Sequence, residues 1–170
     1  MECDVCGSRN VARREVEGHL LFECNLCGNL DGDDDAVARI AEMRAGRERG
    51  LDDEVIPLVT AMELAEVFRI VKASGGDPKT NDAPYVMFRL TKNDMTYIER
   101  LLRSIEMANR TTRLRWLVEL SLQNTIVYIV RPRFWMPPSD ISPDDIQAAV
   151  KDLGVIARQL RRDLSLSWWR

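Results

Sequence analysis

The placing of the cysteines constrains this chain more than any other feature. Cys3-x-x-Cys6-Gly7 is followed, after a gap of seventeen residues between the pairs, by Cys24-x-x-Cys27-Gly28. Two such pairs supply four thiolates, the number that closes a tetrahedron around one Zn²⁺. The glycine behind each pair permits a turn with positive φ, so that backbone N–H groups can face the sulfurs. The intervening residues have the length of a β-hairpin: out over Asn10–Val16, a turn at Glu17-Gly18, and back over His19–Cys24. No cysteine is left over. Cys3, Cys6, Cys24 and Cys27 are therefore the expected metal ligands, and a structural Zn²⁺ is the expected cofactor. His19, the only histidine, reads as a surface strand residue, because four sulfurs already fill the coordination sphere.

These knuckles resemble a zinc ribbon, a family of small metal-stabilised folds found across transcription, translation and assembly proteins. The resemblance covers about residues 1–30 and implies a metal, while saying almost nothing about function. Two alternatives remain. A rubredoxin-like iron site has longer spacing and normally a proline in the second knuckle, which Cys24-Asn25-Leu26-Cys27 lacks. Two disulfides would suit a secreted chain, but Met1–Gly7 has neither a basic nor an apolar signal-peptide region. A cytoplasmic location with reduced thiols is expected, which favours metal.

The 170 residues, 45% hydrophobic and 30% charged, fit one metal module and one domain of about 110–130 residues. No run of 18 apolar residues occurs, so no membrane span is expected. The net charge of −3 is uneven: residues 1–54 hold 7 Lys and Arg against 14 Asp and Glu, and residues 113–170 hold 9 against 6. An acidic ribbon region matches phosphate backbones poorly, and the C-terminal excess is too small to imply nucleic acid by itself.

Three segments follow from the patterning: a ribbon at 1–32, a helical connector at 33–82 and an α+β domain at 83–170. The acidic run Asp31–Asp35 suits the positive start of a helix over about Ala36–Glu48, with Arg44, Arg47 and Arg49 at its negative end and Gly50 as its stop. An EF-hand is rejected, because Ala36 stands where its loop needs glycine. Pro57 opens a second helix over 57–73, apolar on more than one side. Tyr85–Leu90 reads as a strand. Thr91 with Asp94 resembles a capping box before a helix of Met95, Ile98, Leu101, Leu102 and Ile105. Strands follow at Arg113–Leu122 and Thr125–Arg131, around a turn at Gln123-Asn124. A crossing loop follows at 134–138, then a helix capped at Ser142-Pro143-Asp144-Asp145 and a short strand over Leu164–Trp168. The order strand, helix, strand, strand, helix, strand is the βαββαβ unit of ferredoxin-like folds.

A two-residue turn would pair Leu122 with Thr125, Leu120 with Val127 and Val118 with Ile129. Leu117, Ile126, Tyr128 and Val130 would then share the sheet face away from the helices. Such a patch is covered by the helix at 57–73, or serves a homodimer or another protein partner. RNA on this face lacks the expected aromatic-and-glycine run. The tryptophans Trp116, Trp135, Trp168 and Trp169 suit packing, with Trp168 and Trp169 also able to anchor a partner. The chain has one His, no spare Cys and no cofactor fingerprint, and Asp144-Asp145 is explained by helix capping, so no catalytic residues are expected. The expected function is that of a non-catalytic, zinc-stabilised adaptor or assembly protein. The alternative is a nucleic-acid-associated regulator using Arg9, Arg13 and Arg14 of the ribbon hairpin.

Overall fold

The computed structural model describes residues 2–16, 19–92, 94–123, 125–134 and 140–166. The expected turn at Glu17-Gly18 and the residues Trp135, Trp168 and Trp169 lie outside them. The chain divides into two compact units, Met1–Ala45 and Gly46–Arg170. Among the described residues no helix is long and apolar enough to cross a membrane.

The first unit holds the expected hairpin, β1 (Val11–Val16) and β2 (His19–Cys24), paired from Val11↔Cys24 to Val16↔His19. A short third strand, β3 (Leu30–Gly32), adds to β2. Gly32 takes a φ of 143°, and a Cβ there would come within 2.6 Å of the Leu20 carbonyl oxygen, so β3 closes on β2 only through glycine. Helix α1 (Asp34–Glu48) follows, with Asp33 Oδ1 accepting from the N–H groups of Asp35 and Ala36. The acidic run thus does what the helix start requires. Among the described residues of this small unit, Leu21, Ala36, Cys3 and Cys24 are buried.

The second unit contains α2 (Ile56–Glu63), β4 (Phe68–Ser74), β5 (Tyr85–Leu90), α3 (Thr96–Ala108), β6 (Arg115–Gln123), β7 (Thr125–Arg133) and α4 (Pro143–Leu164). Its antiparallel sheet has the order β4-β5-β7-β6. The α+β class holds, but the element order differs from the expected βαββαβ at both ends. The helix expected over 57–73 stops at Glu63. Glu66 turns the chain with a φ of 56°, and Phe68–Ser74 forms a strand. Val67, Phe68, Ile70 and Val71 are aromatic or β-branched and favour a pleated surface; their two-sided apolarity belongs to a strand and not to a buried helix. At the other end, α4 continues to Leu164, which packs on the core as its last helical residue. No strand follows it among the described residues. The sheet place beside β5, which a strand after the last helix would take, is held by β4.

The cap of α4 forms as expected. Ser142 accepts from the Asp145 N–H, and Asp145 reciprocates to the Ser142 N–H. The cap of α3 does not: Asp94 accepts from the Thr96 N–H, while the Thr91 hydroxyl turns to the Glu66 carbonyl.

The hairpin register is one residue from the expected one. Gln123 pairs with Thr125, Leu122 with Ile126, Leu120 with Tyr128 and Val118 with Val130. A slip of one residue exchanges the faces of a strand. Tyr128 (6% exposed) and Val130 (0%) therefore lie in the core with Phe68, Val86, Phe88 and Trp116, under Leu58 and Met62 of α2, Leu101 and Ile105 of α3, and Leu153, Ile156 and Leu160 of α4. Phe88 is the centre of an aromatic row, edge-on to Phe68 at 5.1 Å and stacked on Tyr128 at 5.5 Å. Asp152 of α4 is buried at the start of β6, where it accepts from the backbone N–H groups of Arg113 (3.0 Å) and Leu114 (2.9 Å) and from Trp116 Nε1 (3.4 Å).

Candidate metal centre

The two knuckles are built alike. In the first, the Cys3 N–H donates to the Ser8 carbonyl and the Cys3 carbonyl accepts from the Gly7 N–H. In the second, Cys24 donates to Asn29 and accepts from Gly28 in the same way. Gly7 and Gly28 close these turns with φ of 67° and 74°, values that L side chains resist. Asn25 bonds Asn10 twice, backbone N–H to backbone carbonyl and side-chain Nδ2 to Oδ1, so the second knuckle is tied to the foot of the hairpin.

This frame brings all four sulfurs within 4.8 Å of one another. Cys3 Sγ lies 3.6 Å from Cys27 Sγ, and Cys6 Sγ lies 3.5 Å from Cys24 Sγ. A disulfide requires about 2.05 Å, and all four thiols are free. Sulfurs arranged tetrahedrally at 2.3 Å from a common ion would stand about 3.8 Å apart, close to the observed separations. Cys3 and Cys24 are buried, whereas Cys6 and Cys27 face solvent.

The thiols differ in acidity. The backbone of Cys27 holds Cys24 down, with further help from the backbone of Leu26, at about 6. At Cys6 the backbone of Ser8 acts to lower the value, but the Cys27 thiol, burial and the thiols of Cys24 and Cys3 push it up to about 12. Cys27 is also raised: the backbone of Asn29 and the Cys6 thiol lower it, and burial with the Cys24 and Cys3 thiols overcomes them. Four thiols packed this closely cannot all ionise beside one another; a divalent cation at their centre removes that conflict and takes all four as thiolates.

A charged cluster supports the second knuckle. Glu23 of β2 is ion-paired with both Arg14 of β1 and Arg44 of α1. Arg44 Nη1 also donates to the carbonyl of Gly28 at 3.0 Å. The sequence placed Arg44 at the helix end as a dipole partner, because nothing in its spacing shows that it reaches back sixteen residues to a knuckle. Arg47 and Arg49 have other partners, Asp53 and Glu63 respectively.

The residues expected to form an interaction patch do not come together. Tyr128 and Val130 are in the core, half-buried Leu117 points to the opposite sheet face, and Ile126 is exposed beyond Tyr128 on the core side. The described surface has a different apolar feature. The tip of the β6–β7 hairpin exposes Leu120 (55%), Leu122 (79%) and Ile126 (50%), all on the face that carries Tyr128. The sequence assigned Leu120 and Leu122 to the buried side.

Comparison with protein-family models, curated proteins and solved structures gives no match.

Proposed function

We propose that this chain is a non-catalytic, zinc-stabilised interaction protein that associates with a second copy of itself through the β6–β7 hairpin. The observation that carries the reading is the exposed row of Leu120, Leu122 and Ile126 on one face of that hairpin. Three neighbouring large apolar side chains in water are costly unless they meet a partner, at roughly 1.5–3 kcal/mol for each side chain fully buried. β6 is also an edge strand of the sheet; the Asn109 side chain bonds both backbone groups of Trp116 near its start, so an edge open to pairing lies toward the hairpin tip. Antiparallel pairing of two β6 strands about Leu120 would be self-complementary, setting Leu120 beside its mate and Leu122 of each copy opposite Val118 of the other. The metal supports a structural role: four cysteine sulfurs fill a tetrahedral ion and leave no coordination position for a substrate. Asp145, one of the two adjacent carboxylates, is occupied in the α4 cap, where Ser142 holds it below the usual carboxylate range.

Sedimentation over a concentration series tests this reading. The wild type is expected to pass from monomer to dimer, and Leu122→Lys to remain a monomer with unchanged helix content. A wild type that stays monomeric at high concentration overturns the association. Elemental analysis should find about one zinc for each chain; iron in its place overturns the zinc assignment. A nucleic-acid role for the ribbon hairpin has less support, because Arg14 is ion-paired with Glu23 and Arg9 stands 3.8 Å from Glu2.

A further inference from the structure

Two large aliphatic side chains stand in water at the tips of the cysteine knuckles. Val5 is 69% exposed and Leu26 73%, more than Leu120 or Ile126 of the hairpin tip. They hold the same place in the two motifs, the third residue of Cys-x-x-Cys, directly before the exposed Cys6 and Cys27. The sulfurs of those two cysteines lie within 4.8 Å of one another, so Val5 and Leu26 flank one small surface. The knuckle turns are closed by backbone bonds and by the positive φ of Gly7 and Gly28, and need neither side chain. A single exposed aliphatic residue is ordinary; two at equivalent positions beside one cluster of thiols are not.

A small cleft adjoins the first knuckle. Half-buried Val11 and Phe22 line its floor, and the exposed carboxylates of Glu2, Asp4 and Asp31 line its rim. Asp4 directly precedes Val5, so the cleft reaches the knuckle tip. Glu23 is ion-paired with Arg44 of α1, and Leu20 and Phe22, on either side of the buried Leu21, therefore face away from the helix. The register sets Asp31 and Arg13 beside Phe22, and Glu15 beside Leu20. Arg13 is the one basic side chain that the described residues of the three strands turn to this face. Arg9, in the first knuckle loop, stands 3.8 Å from Glu2. Residues 1–45 carry 5 Lys and Arg against 10 Asp and Glu, so the field around this surface is negative.

We propose that the knuckle tips and the adjoining cleft bind a basic segment of a partner protein that carries aliphatic side chains. Val5 and Leu26 offer apolar contact, while the three carboxylates attract Lys or Arg. The methylene stems of such side chains can lie on Val11 and Phe22 while their charged heads meet the rim. The same carboxylates repel phosphate backbones and anionic lipid. They also disfavour a symmetric contact between two copies, which would set acid against acid. The inference rests on the reading of this chain as an interaction protein, but it uses no residue of the β6–β7 hairpin, so self-association can fail without it.

The test is fluorescence anisotropy of a labelled peptide of alternating lysine and leucine with the full zinc-loaded chain at low salt. A glutamate–leucine peptide and a lysine–glycine peptide of the same length serve as controls. The lysine–leucine peptide is expected to bind at least about tenfold more tightly than either control, with affinity falling as salt is added. The double variant Val5→Ser, Leu26→Ser should keep its metal content and lose affinity at least about tenfold; Asp4→Lys should lose affinity for the same peptide and shed most of the salt dependence. Leu122→Lys should bind as the wild type does, which separates this surface from the hairpin. In NMR spectra the peptide should shift the amides of Val5, Phe22, Leu26 and Asp31. Any of the following overturns the proposal: no binding at low salt, equal binding of the glutamate–leucine peptide, unchanged binding by the double variant, amide shifts centred on the hairpin, or tighter binding of oligo(dT). A lower sedimenting mass of the double variant would make the occupant a second copy of the chain, and would overturn it too.

Discussion

At Asp152, three donors converge on one buried carboxylate: the backbone N–H groups of Arg113 and Leu114, just before β6, and the indole of Trp116. The side chain fastens α4 to the sheet where hydrophobic contact alone would leave the Arg113 and Leu114 amides unpaired. Asp152→Ala leaves these donors without an acceptor and is expected to destabilise the second unit on the order of 3–5 kcal/mol; Asp152→Asn, which keeps one acceptor oxygen, should cost less. Urea midpoints of the two variants give the comparison. Gly46 offers the opposite kind of constraint. It lies inside α1, where replacing glycine with alanine normally favours the helix by about 1 kcal/mol. Here, however, a Cβ would stand 2.5 Å from Ile56 Cγ1, with two more Ile56 carbons within 2.8 Å. Overpacking of that kind costs roughly 1–3 kcal/mol, so Gly46→Ala is expected to lower the melting temperature. The four cysteines positioned to hold a metal ion were readable at this scale because a tetrahedral ion demands a fixed local spacing of its ligands. Arg44 was not, since its bond to Gly28 depends on where α1 lies against the knuckle.

Elements were legible in proportion to how distinct their periodicity is. Ser142-Pro143-Asp144-Asp145 states a helix start in four residues, and α4 begins there. That cap also sets a pH dependence. Asp145 is lowered by the Ser142 side chain, then by the Ser142 backbone, with a smaller effect from Arg113. A depressed carboxylate contributes stability above its unfolded value and loses it as pH falls through the folded one. Ser142→Ala should therefore lower stability at neutral pH and make thermal stability less sensitive to acid, as melting curves between pH 7 and about pH 2 would show. The stretch Val67–Ser74 was illegible because a strand with apolar residues on both sides looks like a helix buried on both sides. The β6–β7 register was illegible for a related reason: Val127, Tyr128, Ile129 and Val130 are all apolar, so hydrophobicity does not choose a face. The structure places Tyr128 in the core, stacked on Phe88, and every neighbour follows it.

On the scale of the whole chain, the division at Ala45 separates the unit that carries the four clustered cysteines from one with its own core. The first unit has only a few buried apolar residues, and small units of this kind depend on their ion. Cys24→Ser, or removal of metal by a chelator, is expected to abolish the NMR dispersion of β1–β3 and of the first turns of α1. Resonances of β4–β7 should keep their positions, because Trp116, Phe88 and Leu153 are packed independently of the thiols. A single cooperative loss of both sets would refute the separation. The early position of β4 has a further consequence, for the order in which the protein is made. All four strands of the second sheet have been synthesised by Arg133, before any of α4 exists. A chain that ends after Arg133 thus holds all four strands of the sheet while part of the apolar side that carries Val86, Phe88 and Trp116 lacks its cover. Helix α4, held at Asp152, shuts that side once it has been made. Released chains ending shortly after Arg133 should be the ones most avidly held by chaperones, and chains extending through Leu164 should not be.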